Sequence, residues 1–111
     1  MEIILKDVPR TIAKPTSKQN ALYHILKCIT IQFPEVGYVQ GMNNIAATLM
    51  KFNTPEDSFM IMISLFKNYG LRENFLPQMP GLARDTYILL VLMKKYMPAL
   101  YKKLNEMNYF P

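Results

Sequence analysis

The sequence predicts an all-α fold, a bundle of helices without a β-sheet. Apolar residues recur at helical spacing, most clearly across residues 21–33. Helix-start and helix-stop signals punctuate the chain, such as Thr54 followed by Pro55 and two acids, and Pro34 after the first periodic segment. No stretch alternates polar and apolar residues as a half-buried strand does. Helices are therefore the only regular elements predicted.

The first predicted helix follows a short opening segment. Residues 1–16 are predicted to be an apolar opening and then a loop, because Pro9 and Pro15 interrupt a continuous helix. Thr16 and Gln19 have the spacing of a capping box. The helix that they begin should extend to about Phe33, with one apolar face. That face comprises Ala21, Leu22, Ile25, Leu26, Ile29 and Phe33.

Five further helices are predicted after Pro34. They cover about residues 40–52, a segment from Pro55 to about Gly70, residues 71–76, 81–96 and 100–107. Thr54 should cap the second of these, and Gly70 is a typical C-terminal stop. Residues 87–93 are apolar almost all round, so helix 81–96 is expected in the middle of the bundle. Pro98 should end that part of the chain.

Size and composition exclude several classes of protein. The 111 residues suffice for one domain, and 50% are hydrophobic, enough for a real core. The longest apolar run, residues 87–93, is too short to cross a bilayer. Charged residues from Glu2 to Arg10 leave no secretory signal pattern. Cys28 is the single cysteine, which excludes an internal disulfide, and we expect it to be a small buried apolar residue. With His24 the only histidine, a His/Cys zinc site lacks ligands.

The net charge of +5 includes a cluster of lysines near the C-terminus. These lysines predict a solvated face of two helices, or a surface that attracts acidic membranes or an acidic partner. No zinc, RNP or helix-turn-helix signature accompanies the charge, which argues against nucleic-acid binding. The lysines are Lys94, Lys95, Lys102 and Lys103.

Two short motifs carry the functional information. The first is I-x-x-D-x-x-R at residues 4–10, followed by Thr11, and the second is G-Y-V-Q-G-M-N at residues 37–43. They put Arg10 and Gln40 into glycine- or proline-flanked turns beside helical segments. An exposed arginine by itself is usually only a solvated charge, but an arginine and a glutamine together are what a slow GTPase needs to complete its hydrolytic site.

Both motifs, in this order, resemble the TBC domain family of Rab GTPase-activating proteins. The resemblance extends through Ile45-Ala46-Ala47 and residues 55–59 and covers nearly the whole chain. It implies an all-α bundle corresponding to the N-terminal half of a TBC domain. Residues 1–111 are accordingly expected to be a single partial domain, truncated at both ends relative to the family.

The resemblance also implies a role for each motif residue. Arg10 would be an arginine finger that meets charge on the transferring phosphoryl group, and Gln40 a glutamine finger that orients the attacking water. We expect Asp7 to accept hydrogen bonds that fix the loop carrying Arg10, unless it is only an exposed acid. Tyr38 should pack against that loop or in the core, and Asn43 should tie the two motif loops together.

The implied function is activation of a Rab-family GTPase in vesicle trafficking, in the cytoplasm or at the surface of endomembranes. The chain would be an enzyme activator without a cofactor, since GTP and Mg²⁺ belong to the partner, and membrane association would come through the parent protein. Two alternatives remain open here. One is a catalytically silent Rab-binding or scaffold module of the same fold, and the other is a basic helical interaction domain with coincidental motifs.

Overall fold

A computed structural model describes residues 2–12 and 17–109 of the chain. Within these residues the chain is all-α and contains no strand, which confirms the predicted fold class. The cap at Thr16, the break at Pro15 and the last part of the predicted loop, residues 13–16, lie outside the described residues. In chain order the helices are α1 (Glu2–Thr11), α2 (Ser17–Gln32), α3 (Met42–Met50), α4 (Pro55–Asn68), α5 (Arg72–Phe75), α6 (Pro80–Tyr96) and α7 (Pro98–Glu106).

The core lies between α1, α2, α3 and α4. Helix α2 packs against the other three, and α1 also contacts α3. The predicted apolar face of α2 supplies much of this core, except that Ala21 is only half buried. Because α1 and α3 contact each other, the two motif segments lie side by side. The buried apolar residues are Ile4, Val8, Leu22, Ile25, Leu26, Ile29, Phe33, Met42, Ala46, Met62 and Phe66.

Helix α1 departs from the sequence prediction, which placed a loop around Pro9. Ile4 and Val8 lie one helical turn apart and are both buried, so packing stabilises the helical conformation. Pro9 cannot donate to the carbonyl of Leu5, but Leu5 lies on the exposed side, where water can replace that bond. Arg10 therefore lies in the last turn of a helix and not in a loop.

The boundaries of α3 and α4 follow local signals. Helix α3 begins at Met42, two residues later than predicted, because Gly41 before it has a φ of +110° that is incompatible with a helix. The predicted cap of α4 is confirmed: the Thr54 hydroxyl accepts a hydrogen bond of 3.2 Å from the backbone N–H of Asp57. Gly70 follows the end of α4 with a φ of +72°, as expected for a stop residue.

Helix α6 was predicted in the middle of the bundle, and this prediction is wrong for the described residues. There it contacts only α5 and α7, so nothing covers most of its apolar surface. Pro98 begins α7 one residue after the end of α6, which fits the tolerance of proline in a first helical turn. No helix in the described part of the chain is both long and apolar enough to cross a membrane. The large exposed apolar residues of α6 are Leu82, Tyr87, Ile88, Leu89, Val91, Leu92 and Tyr96.

The C-terminal lysines lie on α6 and α7 and are all exposed, in agreement with a solvated face. The ammonium group of Lys95 lies 5.0 Å from the ring centroid of Tyr96. The Lys102 ammonium lies 4.0 Å from the carboxylate of Glu106, one turn away. At such exposure these contacts contribute little to stability.

Cys28 is exposed, contrary to the prediction of a buried residue. The buried face of α2 includes Ile25 and Ile29, and Cys28 lies to one side of it. It lines an open surface cavity of about 330 Å³ together with His24 and Glu56. No group of three His, Cys, Asp or Glu side chains within residues 2–12 and 17–109 is arranged to hold a metal ion.

Candidate functional site

Asp7 is a buried carboxylate in the second turn of α1, with 5% of its surface exposed. It lies one turn after the fully buried Ile4, on the side of the helix that faces the core. Its Oδ2 accepts a hydrogen bond of 2.6 Å from the hydroxyl of Tyr38. A buried carboxylate without such a donor would be costly, because desolvation of an unpaired charge is unfavourable. This bond joins α1 to the segment between α2 and α3.

Arg10 presents its side chain to solvent from the last turn of α1. Its side chain is 75% exposed, and its Nη1 lies 3.9 Å from Oδ1 of Asp7. That separation exceeds a hydrogen bond, so the guanidinium keeps its N–H donors available to another molecule. The positive charge also lies at the negative end of the helix dipole, which is favourable for the helix.

Gln40 lies in the turn that precedes α3 and is exposed. Two glycines with positive φ flank this turn, Gly37 at +64° and Gly41 at +110°. A residue with a Cβ rarely adopts such angles, so the glycines explain how the chain can turn sharply here. Among the described residues the carboxamide of Gln40 has no hydrogen-bond partner. It is therefore available to another molecule, like the guanidinium of Arg10.

Asn43 connects the two motifs from the first turn of α3. It is 7% exposed, and its Nδ2 donates a hydrogen bond of 2.7 Å to the hydroxyl of Thr11. Its Oδ1 accepts a hydrogen bond of 2.9 Å from the backbone N–H of Gly41. Both ends of the carboxamide are thus occupied, one by α1 and the other by the turn that carries Gln40.

Thr11 belongs to the site although the sequence assigned it no role. Its Oγ1 accepts from Asn43 and donates a hydrogen bond of 2.7 Å to the backbone carbonyl of Asp7. The position of Thr11 directly after Arg10 was visible in the sequence. Its partner 32 positions later was not, because that contact depends on how α1 packs against α3.

Arg10 and Gln40 each lie between two residues whose hydrogen bonds join the two motif segments. Asp7 and Thr11 lie on either side of Arg10, and each bonds to the second motif segment. Their partners, Tyr38 and Asn43, lie on either side of Gln40 in turn. The backbone segments of the two motifs are therefore tied together, while the side chains of Arg10 and Gln40 remain exposed.

The electrostatic environment of Tyr38 reflects its bond to Asp7. Burial raises the pKa of the Tyr38 phenol above its usual value, and the hydrogen bond to Asp7 and the negative charge of Asp7 raise it further. Each effect disfavours a tyrosinate beside a carboxylate. Tyr38 therefore stays a hydrogen-bond donor throughout the neutral range of pH.

The Rab-GTPase-TBC domain family model matches residues 1–111 of the chain. A protein from Eremothecium gossypii, the GTPase-activating protein GYP5, is 44% identical over 107 residues, which are 95% of this chain and 13% of that protein. GYP5 of Saccharomyces cerevisiae is 41% identical over 102 residues, 91% of this chain and 11% of its own length.

A nematode relative extends the similarity beyond fungi. The Rab GTPase-activating protein eat-17 of Caenorhabditis elegans is 32% identical over 114 residues, which cover 97% of this chain and 13% of that relative. The chain thus spans between 11% and 13% of the length of these three relatives. Because the family model matches from the first residue to the last, this chain belongs to the Rab-GTPase-TBC domain family.

Proposed function

We propose that this chain forms part of a GTPase-activating protein for a Rab-family small GTPase, to which it supplies Arg10 and Gln40 in trans. The main support is structural: two exposed polar side chains extend from backbone segments that hydrogen bonds on both sides tie together. Relatives named as Rab GTPase-activating proteins support the same class of partner. Family membership also removes the interpretation in which both motifs are coincidental.

Arg10 would stabilise the negative charge on the transferring phosphoryl group. An arginine supplied in trans accelerates hydrolysis by roughly 10³–10⁵-fold, which corresponds to about 4–7 kcal/mol of activation free energy. The exposed guanidinium and its long contact to Asp7 suit this role, because the side chain breaks no hydrogen bond when it turns to a phosphate. Its planar arrangement of donors matches phosphate oxygens.

Gln40 would orient the water that attacks the phosphoryl group. A carboxamide can accept from the water with its oxygen and donate to a phosphate oxygen with its nitrogen. Accuracy of position matters for such a task, since a misplacement of about 1 Å can lower a rate by about 10²-fold. The hydrogen bonds of Tyr38 and Asn43, on either side of Gln40, would hold its backbone in place with that accuracy.

GTP and Mg²⁺ would enter with the GTPase, so the chain would act as an activator and bring no cofactor. The proposal places the parent protein in the cytoplasm or at the surface of endomembranes, in vesicle trafficking. Membrane association would come through other parts of the parent, and nucleic acid has no place in the proposed function.

The decisive experiment is single-turnover phosphate release from a panel of GTP-loaded Rab proteins with the full-length protein that contains this chain. We expect Arg10→Ala and Gln40→Ala each to abolish most of the acceleration. Arg84→Ala and Gln32→Ala are matched controls, since both residues are exposed and lie on other helices, and they should leave the acceleration unchanged. Acceleration by Arg10→Ala equal to that of the wild type would refute the arginine finger.

A catalytically silent Rab-binding or scaffold module is the second candidate, because the fold and family are shared by both. The same assay distinguishes the two when Rab binding is measured in parallel. Binding to a GTP-loaded Rab without acceleration would support the silent module. The presence of both Arg10 and Gln40 in exposed positions favours the activator, since binding alone requires neither side chain at these places.

A further inference from the structure

A chain of three hydrogen bonds runs from the turn of Gln40 to the last turn of α1. The backbone N–H of Gly41 donates to Oδ1 of Asn43 at 2.9 Å. Nδ2 of Asn43 donates to Oγ1 of Thr11 at 2.7 Å. The hydroxyl of Thr11 then donates to the backbone carbonyl of Asp7 at 2.7 Å.

The donor and acceptor of each of these three hydrogen bonds are fixed by the chemistry of the groups. An N–H cannot accept, so the carboxamide of Asn43 must turn its oxygen to Gly41 and its nitrogen to Thr11. Thr11 Oγ1 must then accept from Asn43, which leaves its own hydrogen to donate to the carbonyl of Asp7. Each donor is thus matched to one acceptor. Within these three hydrogen bonds, only the hydroxyl of Thr11 both accepts and donates through one atom.

The hydrogen bonds of Asn43 are buried enough that losing one of them would be costly. Asn43 is buried, so a missing partner at Thr11 would leave an unsatisfied amide N–H away from water. Asn43 could satisfy it only by turning its side chain, and this would break its bond to Gly41. Gly41 directly follows Gln40 in the sequence, and Thr11 directly follows Arg10. A movement of Gly41 or Thr11 would therefore displace one of the two exposed side chains.

We propose that Thr11 is a positioning residue for GTPase activation: its hydroxyl, through Asn43, sets the position of the turn of Gln40 relative to the helix end of Arg10. The inference rests on the proposed function of Arg10 and Gln40. Thr11 itself touches neither the Rab nor the nucleotide in this scheme. Its contribution is to the relative placement of two groups that must meet one phosphoryl group together.

The test compares two substitutions at Thr11 in the full-length protein. Thr11→Val keeps the branched shape and removes the hydroxyl, whereas Thr11→Ser keeps the hydroxyl. Thr48→Val is a matched control, since the Thr48 hydroxyl makes the same kind of bond, 2.8 Å to the carbonyl four residues earlier, but at an exposed position. Each variant is assayed for the maximal single-turnover hydrolysis rate, for affinity to a GTP-loaded Rab and for melting temperature.

We expect Thr11→Val to lower the maximal rate by roughly tenfold to a hundredfold, with affinity for the Rab within about twofold of the wild type. Thr11→Ser should restore most of the rate, and Thr48→Val should match the wild type. An equal rate in Thr11→Val and wild type would overturn the inference. So would a loss that Thr11→Ser does not restore, or one that follows only the fraction of unfolded protein.

A measurement without a Rab separates this inference from the proposed function. Amide hydrogen exchange of a peptide covering residues 38–44 should be faster in Thr11→Val than in wild type, Thr11→Ser or Thr48→Val, because the N–H of Gly41 loses its fixed acceptor. If the wild type accelerates no Rab but this exchange pattern appears, the proposed function fails and the coupling of the two segments stands. Unchanged exchange in Thr11→Val would refute the coupling itself.

Discussion

The hydroxyl of Tyr38 donates a hydrogen bond of 2.6 Å to the buried carboxylate of Asp7, 31 positions earlier in the chain. This bond and the one between Asn43 and Thr11 tie the two motifs together on either side of Arg10 and Gln40. It also gives a buried charge its principal donor, since the guanidinium of Arg10 lies 3.9 Å from that carboxylate. The stability of the fold and the placement of the exposed side chains therefore depend on the same bond.

Tyr38→Phe should lower the free energy of unfolding by about 2 kcal/mol, because a hydrogen bond to a charged group contributes about 1.5–3 kcal/mol and its loss leaves Asp7 unsatisfied. Urea denaturation of the variant and the wild type measures this difference. Thr54→Ala is the control: it removes the cap of α4 at a cost of about 1 kcal/mol, far from the motifs in sequence. Rab activation should fall in Tyr38→Phe and persist in Thr54→Ala. Equal activation in both variants would contradict a positioning role for Tyr38.

The raised pKa of Tyr38 predicts a loss of stability only at high pH. A tyrosine whose pKa is raised by folding contributes stability that is fully present below the pKa of the unfolded chain, about 10, and is lost as pH rises through the higher folded value. Absorbance titration near 295 nm should therefore show a tyrosine step later than that of a free tyrosine, which we assign to Tyr38. Tyr38→Phe should remove this late step. The absence of a late step in the wild type would show that the bond to Asp7 does not persist in solution.

Gly41→Ala should destabilise the protein more than Gly37→Ala. A φ of +64° at Gly37 lies in the left-handed region that alanine can enter at a cost of about 1–2 kcal/mol, whereas +110° at Gly41 lies outside it. Steric contact does not explain the difference, because a Cβ would meet nothing within 4 Å at Gly37 and only a Phe75 ring carbon at 3.8 Å at Gly41. Thermal or urea denaturation of both variants measures it. An equal cost at the two glycines would mean that the turn of Gln40 can relax.

Cys28 should react with a thiol reagent such as 5,5′-dithiobis(2-nitrobenzoic acid) without unfolding, since its side chain is exposed in the native fold. One thiol equivalent should be released at the same rate with and without low concentrations of urea. Cys28→Ser should lower the thiol released by one equivalent, which assigns that equivalent to this residue. A reaction that requires denaturant would show that another part of the protein covers this side of α2.

Local sequence signals determined most of the helices. Thr54 and Pro55 specify the start of α4 through hydrogen bonding and a preset φ, and these effects act within a few residues. Periodic apolar residues likewise specified the core face of α2. Both motifs could be recognised for the same reason, since each is a contiguous pattern of residue types at fixed spacing.

Tertiary structure decided what local signals could not. Around Pro9 the burial of Ile4 and Val8 outweighs the local cost of proline, so Arg10 lies at the end of a helix and not in a loop. Thr11 acquires its role from Asn43, a residue 32 positions away.

The exposed surface of α6 is a second case in which local sequence did not predict burial correctly. Its apolar composition predicted burial, yet among residues 2–12 and 17–109 only α5 and α7 contact it. The sequence by itself determined most of the helices after residue 16 and which two side chains are candidates for catalysis. Packing of α1 against α3 decided that the two motif segments lie side by side, because only contacts between distant segments can join two motifs.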